Sequence, residues 1–62
     1  MEESKKYINL RNRLFAHRRK EGRTHYDRSD KVENQIMEDM YRSYKRLSLD
    51  EFELLVSKGF II

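Results

Sequence analysis

The sequence predicts an all-α protein in which two antiparallel helices form a hairpin and a third, short helix packs across one end or flank of it. Three observations favour this fold. The 62 residues include no proline and only two glycines, Gly22 and Gly59, so little interrupts long helices. Apolar residues recur at spacings of three and four, as on one face of a helix. A capping motif precedes the last apolar segment. We therefore expect a single small helical domain over residues 1–62.

The first helix is predicted over residues 3–21. Tyr7, Leu10 and Leu14 form its apolar stripe, at the spacing of one helix face. Gly22 follows, and glycine readily adopts the left-handed conformation that ends many helices. The last predicted turn is rich in arginine and lysine, which the helix dipole favours at a C-terminus.

The second helix is predicted over residues 29–46, because Val32, Ile36 and Met40 recur on one broad apolar face. The segment between the two helices shows no apolar period and is only about six residues long. So short a connection implies that the two helices are antiparallel neighbours.

Capping residues set the predicted starts of the second and third helices. Asp27 or Ser29 is expected to cap the second helix, because both types accept hydrogen bonds from the first free amides of a helix. Ser48 followed by Glu51 at the third position is a capping box. It predicts a short third helix over residues 49–58.

The hairpin register brings charged residues into the apolar stripes. A turn in the middle of the loop pairs positions whose numbers sum to about 51, so Arg18 meets Glu33. Arg11 is expected to contact the ring of Tyr41 or Tyr44. Arginine stems can simply lie on apolar surface while their heads reach water or a carboxylate. Alternatively, the arginines separate two apolar seams, which would indicate a dimer or a groove for a partner.

Positive charge is concentrated in the first half of the chain. Residues 5–28 hold nine lysines and arginines against two acidic residues, whereas residues 29–62 hold five against seven. A cluster of this kind binds phosphates or an acidic protein surface, or is only a solvated helix face. The predicted partner-binding residues are Arg11, Arg18, Arg19, Lys20, Arg23, His25, Tyr26 and Arg28.

Residues for catalysis or metal binding are scarce. His17 and His25 are the only histidines, cysteine is absent, and no His-Glu-x-x-His arrangement occurs. We therefore expect no enzymatic activity, no metal and no cofactor. The polar N-terminus and the lack of an apolar run predict neither a signal peptide nor a membrane span. A cysteine-free chain fits the reducing cytoplasm.

These features favour a non-catalytic protein-binding module, a small helical regulator or inhibitor that docks on a larger protein. Its core is marginal at this length, so we expect a homodimer. Size alone suggests that a phage or mobile element encodes it. The alternative is a nucleic-acid-binding protein that grips phosphates with the basic first helix and loop, without reading sequence. The loop is too long for a helix-turn-helix motif.

Overall fold

The computed structural model describes residues 2–61, which form three α-helices. These are α1 (Glu2–Lys20), α2 (Lys31–Arg46) and α3 (Leu49–Ser57). Helices α1 and α2 pack closely as an antiparallel hairpin, and α3 packs against α1. The predicted all-α hairpin with a short third helix is confirmed. The predicted end of α2 and the predicted beginning of α3 agree with the structure, and the other helix ends differ by one or two residues, as is usual where the last turns fray.

Glycine ends the first and third helices, as predicted. Gly22 has a φ of 71°, which brings the amide of Arg23 to 2.8 Å from the carbonyl oxygen of Arg18. The amide of Gly22 donates to the carbonyl of Arg19 at 3.1 Å, which completes a Schellman motif. Gly59 repeats the left-handed conformation after α3, with a φ of 79°. The chain therefore reverses sharply at both points.

The cap of α2 is Asp30, so the prediction of Asp27 or Ser29 was wrong. The Asp30 carboxylate accepts hydrogen bonds from the amides of Val32 at 3.0 Å and Glu33 at 3.1 Å. The Asp27 carboxylate is already engaged, because it accepts from the amide of Ser29 at 2.9 Å and from its hydroxyl at 2.6 Å. This local turn ends the loop and delays the start of α2.

Ser48 caps α3 as predicted, since its hydroxyl accepts from the amide of Glu51 at 3.2 Å. The Glu51 carboxylate reaches further and accepts from the amide of Ser4 at 2.8 Å, in the first turn of α1, where backbone amides have no carbonyl partner within the helix. Nearby, the hydroxyl of Ser43 donates to the Glu3 carboxylate at 2.6 Å. Polar contacts therefore tie α2 and α3 to the beginning of α1.

The apolar core is small. Among the described residues, the buried apolar side chains are Leu10, Leu14, Ile36 and Leu55. Three of them come from the stripes that predicted the hairpin. Val32, which also belongs to the predicted face, is instead 54% exposed. Glu33 occupies the core-facing position in this turn of α2, which leaves Val32 on the flank of the helix.

Arg11 does not contact Tyr41 or Tyr44, contrary to the prediction. Its guanidinium carbon lies 4.6 Å from the ring centroid of Phe15 and 5.3 Å from that of Phe60. The turn after α3 brings Phe60 against this flank of α1, so Arg11 lies between two rings that the hairpin register alone does not place together. The interaction is a cation–π contact on both sides.

Candidate partner-binding site

A fully buried carboxylate joins α1, the loop and α2. The Glu33 side chain has no solvent exposure. Its Oε1 accepts from the Nε of Arg18 at 2.5 Å, which confirms the predicted pair. Its Oε2 accepts from Nη2 of Arg23 at 2.9 Å and from the backbone amide of Asp27 at 3.3 Å. Donors from α1 and from two points of the loop therefore converge on one residue of α2.

Asp30 extends these contacts to a second carboxylate. Its Oδ2 lies 2.5 Å from Nη2 of Arg23 and 2.7 Å from Nε2 of His17. Arg23 thus bridges Asp30 and Glu33, and the loop is held against the first turn of α2. We call the five side chains of His17, Arg18, Arg23, Asp30 and Glu33 the Glu33 network.

Both carboxylates of the network have a lowered pKa. Burial on its own raises the pKa of Glu33, but hydrogen bonds from Arg18, Arg23 and the Asp27 amide together lower it below its ordinary value. The guanidinium of Arg23, followed by His17, holds the pKa of Asp30 well below its usual range. At neutral pH the network therefore contains two charged carboxylates facing two guanidinium groups.

Three of the eight predicted partner-binding residues are engaged inside the molecule. Arg18 and Arg23 belong to the Glu33 network, and Arg11 lies between two phenylalanine rings. The other five are exposed, and we call them the loop-end surface: Arg19, Lys20, His25, Tyr26 and Arg28.

Asn34 of α2 fixes the exposed side of the loop. Its side-chain oxygen accepts from the hydroxyl of Tyr26 at 2.7 Å, and its amide group donates to the carbonyl of Arg28 at 2.9 Å. The ring of Tyr26 remains open, since the residue is 52% exposed. The loop is therefore held from within by the Glu33 network and from outside by Asn34.

An open groove between α1 and α2 was missed by sequence reasoning. Two adjoining depressions share Arg13 and Asp39, and the larger has a volume of ≈ 770 Å³. We call it the basic groove; its cations are Lys5, Lys6, Arg13, Lys31, Arg42 and Arg46. The signal in the sequence is weak. On a helical wheel with 100° per residue, Lys31, Arg42 and Arg46 of α2 lie within about 60° of one another.

A partly exposed apolar surface lies where α2 meets α3. Tyr44 and Phe52 pack edge to face there, with ring centroids 5.8 Å apart, and Leu47 and Leu49 line the same depression. Leu49 is 71% exposed. We call these four residues the α2–α3 patch. On α2, Tyr44 lies about 160° from Arg42 of the basic groove, so the two surfaces face different sides.

Metal and membrane signals are lacking in the described part of the chain. Among residues 2–61, no group of three or more histidine, cysteine, aspartate or glutamate side chains is arranged to hold a metal ion. None of the described helices combines the length and the apolar character that crossing a membrane requires.

No protein-family model, curated protein or solved structure matches this chain.

Proposed function

We propose that the chain is a non-catalytic protein-binding module that docks on a larger protein through its loop-end surface and regulates or inhibits it. This proposal rests on the burial of Glu33 against Arg18 and Arg23. A buried ion pair contributes little net stability, because the loss of hydration offsets much of the attraction between the charges. What the Glu33 network does supply is a single conformation for a loop without regular secondary structure.

A fixed loop suits recognition. Ordering a flexible segment on binding costs conformational entropy, and a segment that is already ordered avoids that cost. The exposed residues are also of the right types, since tyrosine and arginine are enriched among the residues that dominate binding energy at protein interfaces. Tyr26 and Arg28 are therefore the expected anchors. We further propose a cytoplasmic location, because a cysteine-free chain suits a reducing compartment.

Photo-cross-linking tests this proposal. A photoreactive amino acid is placed at His25, in the loop-end surface, and in a second variant at Lys58, which is exposed beyond the end of α3. In lysate of the source organism, we expect one protein to be cross-linked from position 25 and not from position 58. Tyr26→Ala should abolish that cross-link. Cross-linking that is equal from both positions, or unaffected by Tyr26→Ala, would contradict the proposal.

We also propose that two copies associate through the α2–α3 patch. Few apolar side chains are buried within one copy, and Leu49 and the ring of Tyr44 remain open to solvent. Chains of this size commonly gain stability by self-association. Light scattering should give the mass of a dimer for the natural chain and of a monomer for Leu49→Glu, with helicity unchanged. A natural chain that stays monomeric at high concentration would exclude this interface.

A further inference from the structure

The basic groove carries more positive charge than the whole molecule. Among the described side chains, its six cations face the single carboxylate of Asp39, a balance of +5, whereas the full chain has a net charge of +3. Counting Glu38, which pairs with Arg42 at 2.6 Å, reduces the balance to +4 and leaves the conclusion unchanged. The remaining residues therefore have a net charge of −2 or −1 by these two counts, so the excess of positive charge lies in the groove.

Most of these cations lack an internal partner. Among the side chains that the structure describes, no carboxylate lies within 4.0 Å of the nitrogens of five groove cations, namely Lys5, Lys6, Arg13, Lys31 and Arg46. Arg42 does have partners, but its pairs with Glu38 and Asp39 are exposed, and pairs of this kind exchange readily with other anions. The guanidinium groups of the Glu33 network, in contrast, already face buried carboxylates.

The groove has the dimensions of a duplex backbone contact. From Lys31 to Arg46 it follows α2 over about 22 Å. Packed helices lie about 8–10 Å apart, so the backbones that carry the two rows of cations lie at roughly that separation, and their long, flexible side chains let the charges adjust to a ligand. The grooves of B-form DNA are about 6 and 12 Å wide, which sets a similar distance between the phosphate rows on either side. Asn9 and Gln35 line the groove as well and add amide donors.

We propose that the basic groove binds the sugar-phosphate backbone of double-stranded nucleic acid. No aromatic side chain lines the groove among the described residues, so it lacks the stacking platform on which single strands are bound. Leu10 and Ile36 are buried at its floor, and Val32 is the one exposed aliphatic side chain in the described lining, so the groove offers a single apolar contact where an amphipathic helix needs several. The groove is a different surface from the loop-end surface, so this proposal stands apart from the proposed protein partner.

Salt dependence of duplex binding tests the proposal. The natural chain is titrated by fluorescence anisotropy against a short labelled DNA duplex and an RNA duplex of the same sequence. If the five groove cations without a described carboxylate partner each neutralise one phosphate, affinity for DNA should fall about 500-fold between about 50 and 200 mM salt. Tighter binding of DNA or of RNA identifies which duplex the spacing of the cations fits. Absence of binding to both duplexes at the lower salt concentration would overturn the proposal.

Two double variants with the same net charge distinguish binding at the groove from a general attraction by the charge of the whole protein. Lys6→Gln with Arg13→Gln removes two groove cations, whereas Lys45→Gln with Lys58→Gln removes two exposed cations that belong neither to the groove nor to the loop-end surface. We expect the first variant to reduce the magnitude of the salt slope by about two and the second to leave it nearly unchanged. Equal weakening by both variants would show that attraction is general and would overturn the assignment to the groove. Circular dichroism confirms that both variants remain folded.

An acidic polypeptide supplies the remaining control. Polyglutamate carries a similar linear charge but lacks the spacing of paired phosphate rows. If it competes with duplex as effectively as unlabelled duplex does, the groove is a site for acidic proteins and the nucleic-acid proposal is wrong. The cross-link from position 25 and its loss in Tyr26→Ala report on the loop-end surface alone, so either proposal can fail without the other.

Discussion

The two ends of the hairpin are held together by different forces. At the loop end, the Glu33 network joins α1, the loop and α2 through charged side chains, two of which, Arg18 and Arg23, meet at the fully buried carboxylate of Glu33. At the opposite end, which we call the α3 end, Leu55 is 1% exposed and backbone amides are capped by Glu51. One end depends on specific ionic partners and the other on apolar burial.

The difference shows how a short chain distributes its few buried residues. Apolar burial is tolerant of small changes in geometry, and it suffices where helices pack against helices. An irregular loop has polar backbone groups that need partners, and the carboxylate of Glu33 satisfies one of them at Asp27. Charged residues are therefore buried where the loop must keep one shape. Four substitutions or conditions test this comparison, from the largest expected effect to the smallest.

Leu55→Ala should be the most damaging change, because it opens a cavity at the α3 end. The expected loss in the free energy of unfolding is about 2 to 5 kcal/mol, the usual range for a buried leucine. Urea denaturation followed by circular dichroism measures it. Val56→Ala, at an exposed neighbouring position, is the matched control and should cost little. Similar losses for both would mean that α3 does not depend on Leu55.

Glu33→Gln should destabilise the loop end. The neutral amide leaves the guanidinium groups of Arg18 and Arg23 facing each other without a negative charge between them. We expect the melting temperature to fall by about 5 to 10 °C in a chain of this size. Glu38→Gln, which removes an exposed carboxylate paired with Arg42, should barely change it. If Glu33→Gln and Glu38→Gln have the same melting temperature, the network has no structural role.

Acidification should weaken the loop end, and also the α3 end, where the hydrogen bond from the Ser4 amide lowers the pKa of Glu51. The pKa values of Asp30 and Glu33 are lowered in the folded chain from ordinary values of 3.8 and 4.5. As the pH falls below about 5, the unfolded chain therefore takes up protons before the folded chain does, and stability decreases. The urea midpoint should be constant between about pH 7 and 5 and fall below that. A midpoint that rises on acidification would contradict the lowered pKa values. The decline should be shallower in Glu33→Gln.

Ser48→Ala should have the smallest of these effects. It removes the hydroxyl that accepts from the amide of Glu51 and should cost about 1 kcal/mol. The loss is expected in urea denaturation without a change in the number of helical residues. Ser57→Ala, which removes an exposed hydroxyl at the other end of α3, is the control. Equal effects from both serines would indicate that capping at position 48 is not special.

Much of the fold could be predicted because its determinants are local. The spacing of Leu10, Leu14 and Ile36, the glycine after α1, and the cap at Ser48 each act within a few residues of the chain. The Arg18–Glu33 pair could also be predicted, since a turn in the middle of a short loop pairs positions whose numbers sum to about 51. The same register pairs Tyr7 with Tyr44. The pKa of Tyr7 is raised above its ordinary value, mainly by burial; Arg11 acts in the opposite direction, and Tyr44 raises the pKa further.

Features that depend on three elements at once could not be predicted. Arg11 contacts Phe60 only because the turn after α3 returns the chain to α1, and no period in the sequence encodes that return. The basic groove combines cations from the basic helix α1 with Lys31 and Arg42 of α2. Helix α2 belongs to the second half of the chain, which has a net negative charge. A count of charges along the sequence therefore does not reveal that cations from both helices lie on the same face.

The contact between Glu51 and Ser4 has a consequence for how the protein is made. Translation proceeds at about 5 to 20 residues per second, so the carboxylate that caps the start of α1 is synthesised roughly 2 to 9 seconds after the amide it binds. During that interval a nascent α1 lacks this acceptor and the covering surface of α3. Because α1 leaves the ribosome before α3, the native form of the beginning of α1 arises only after α3 has emerged.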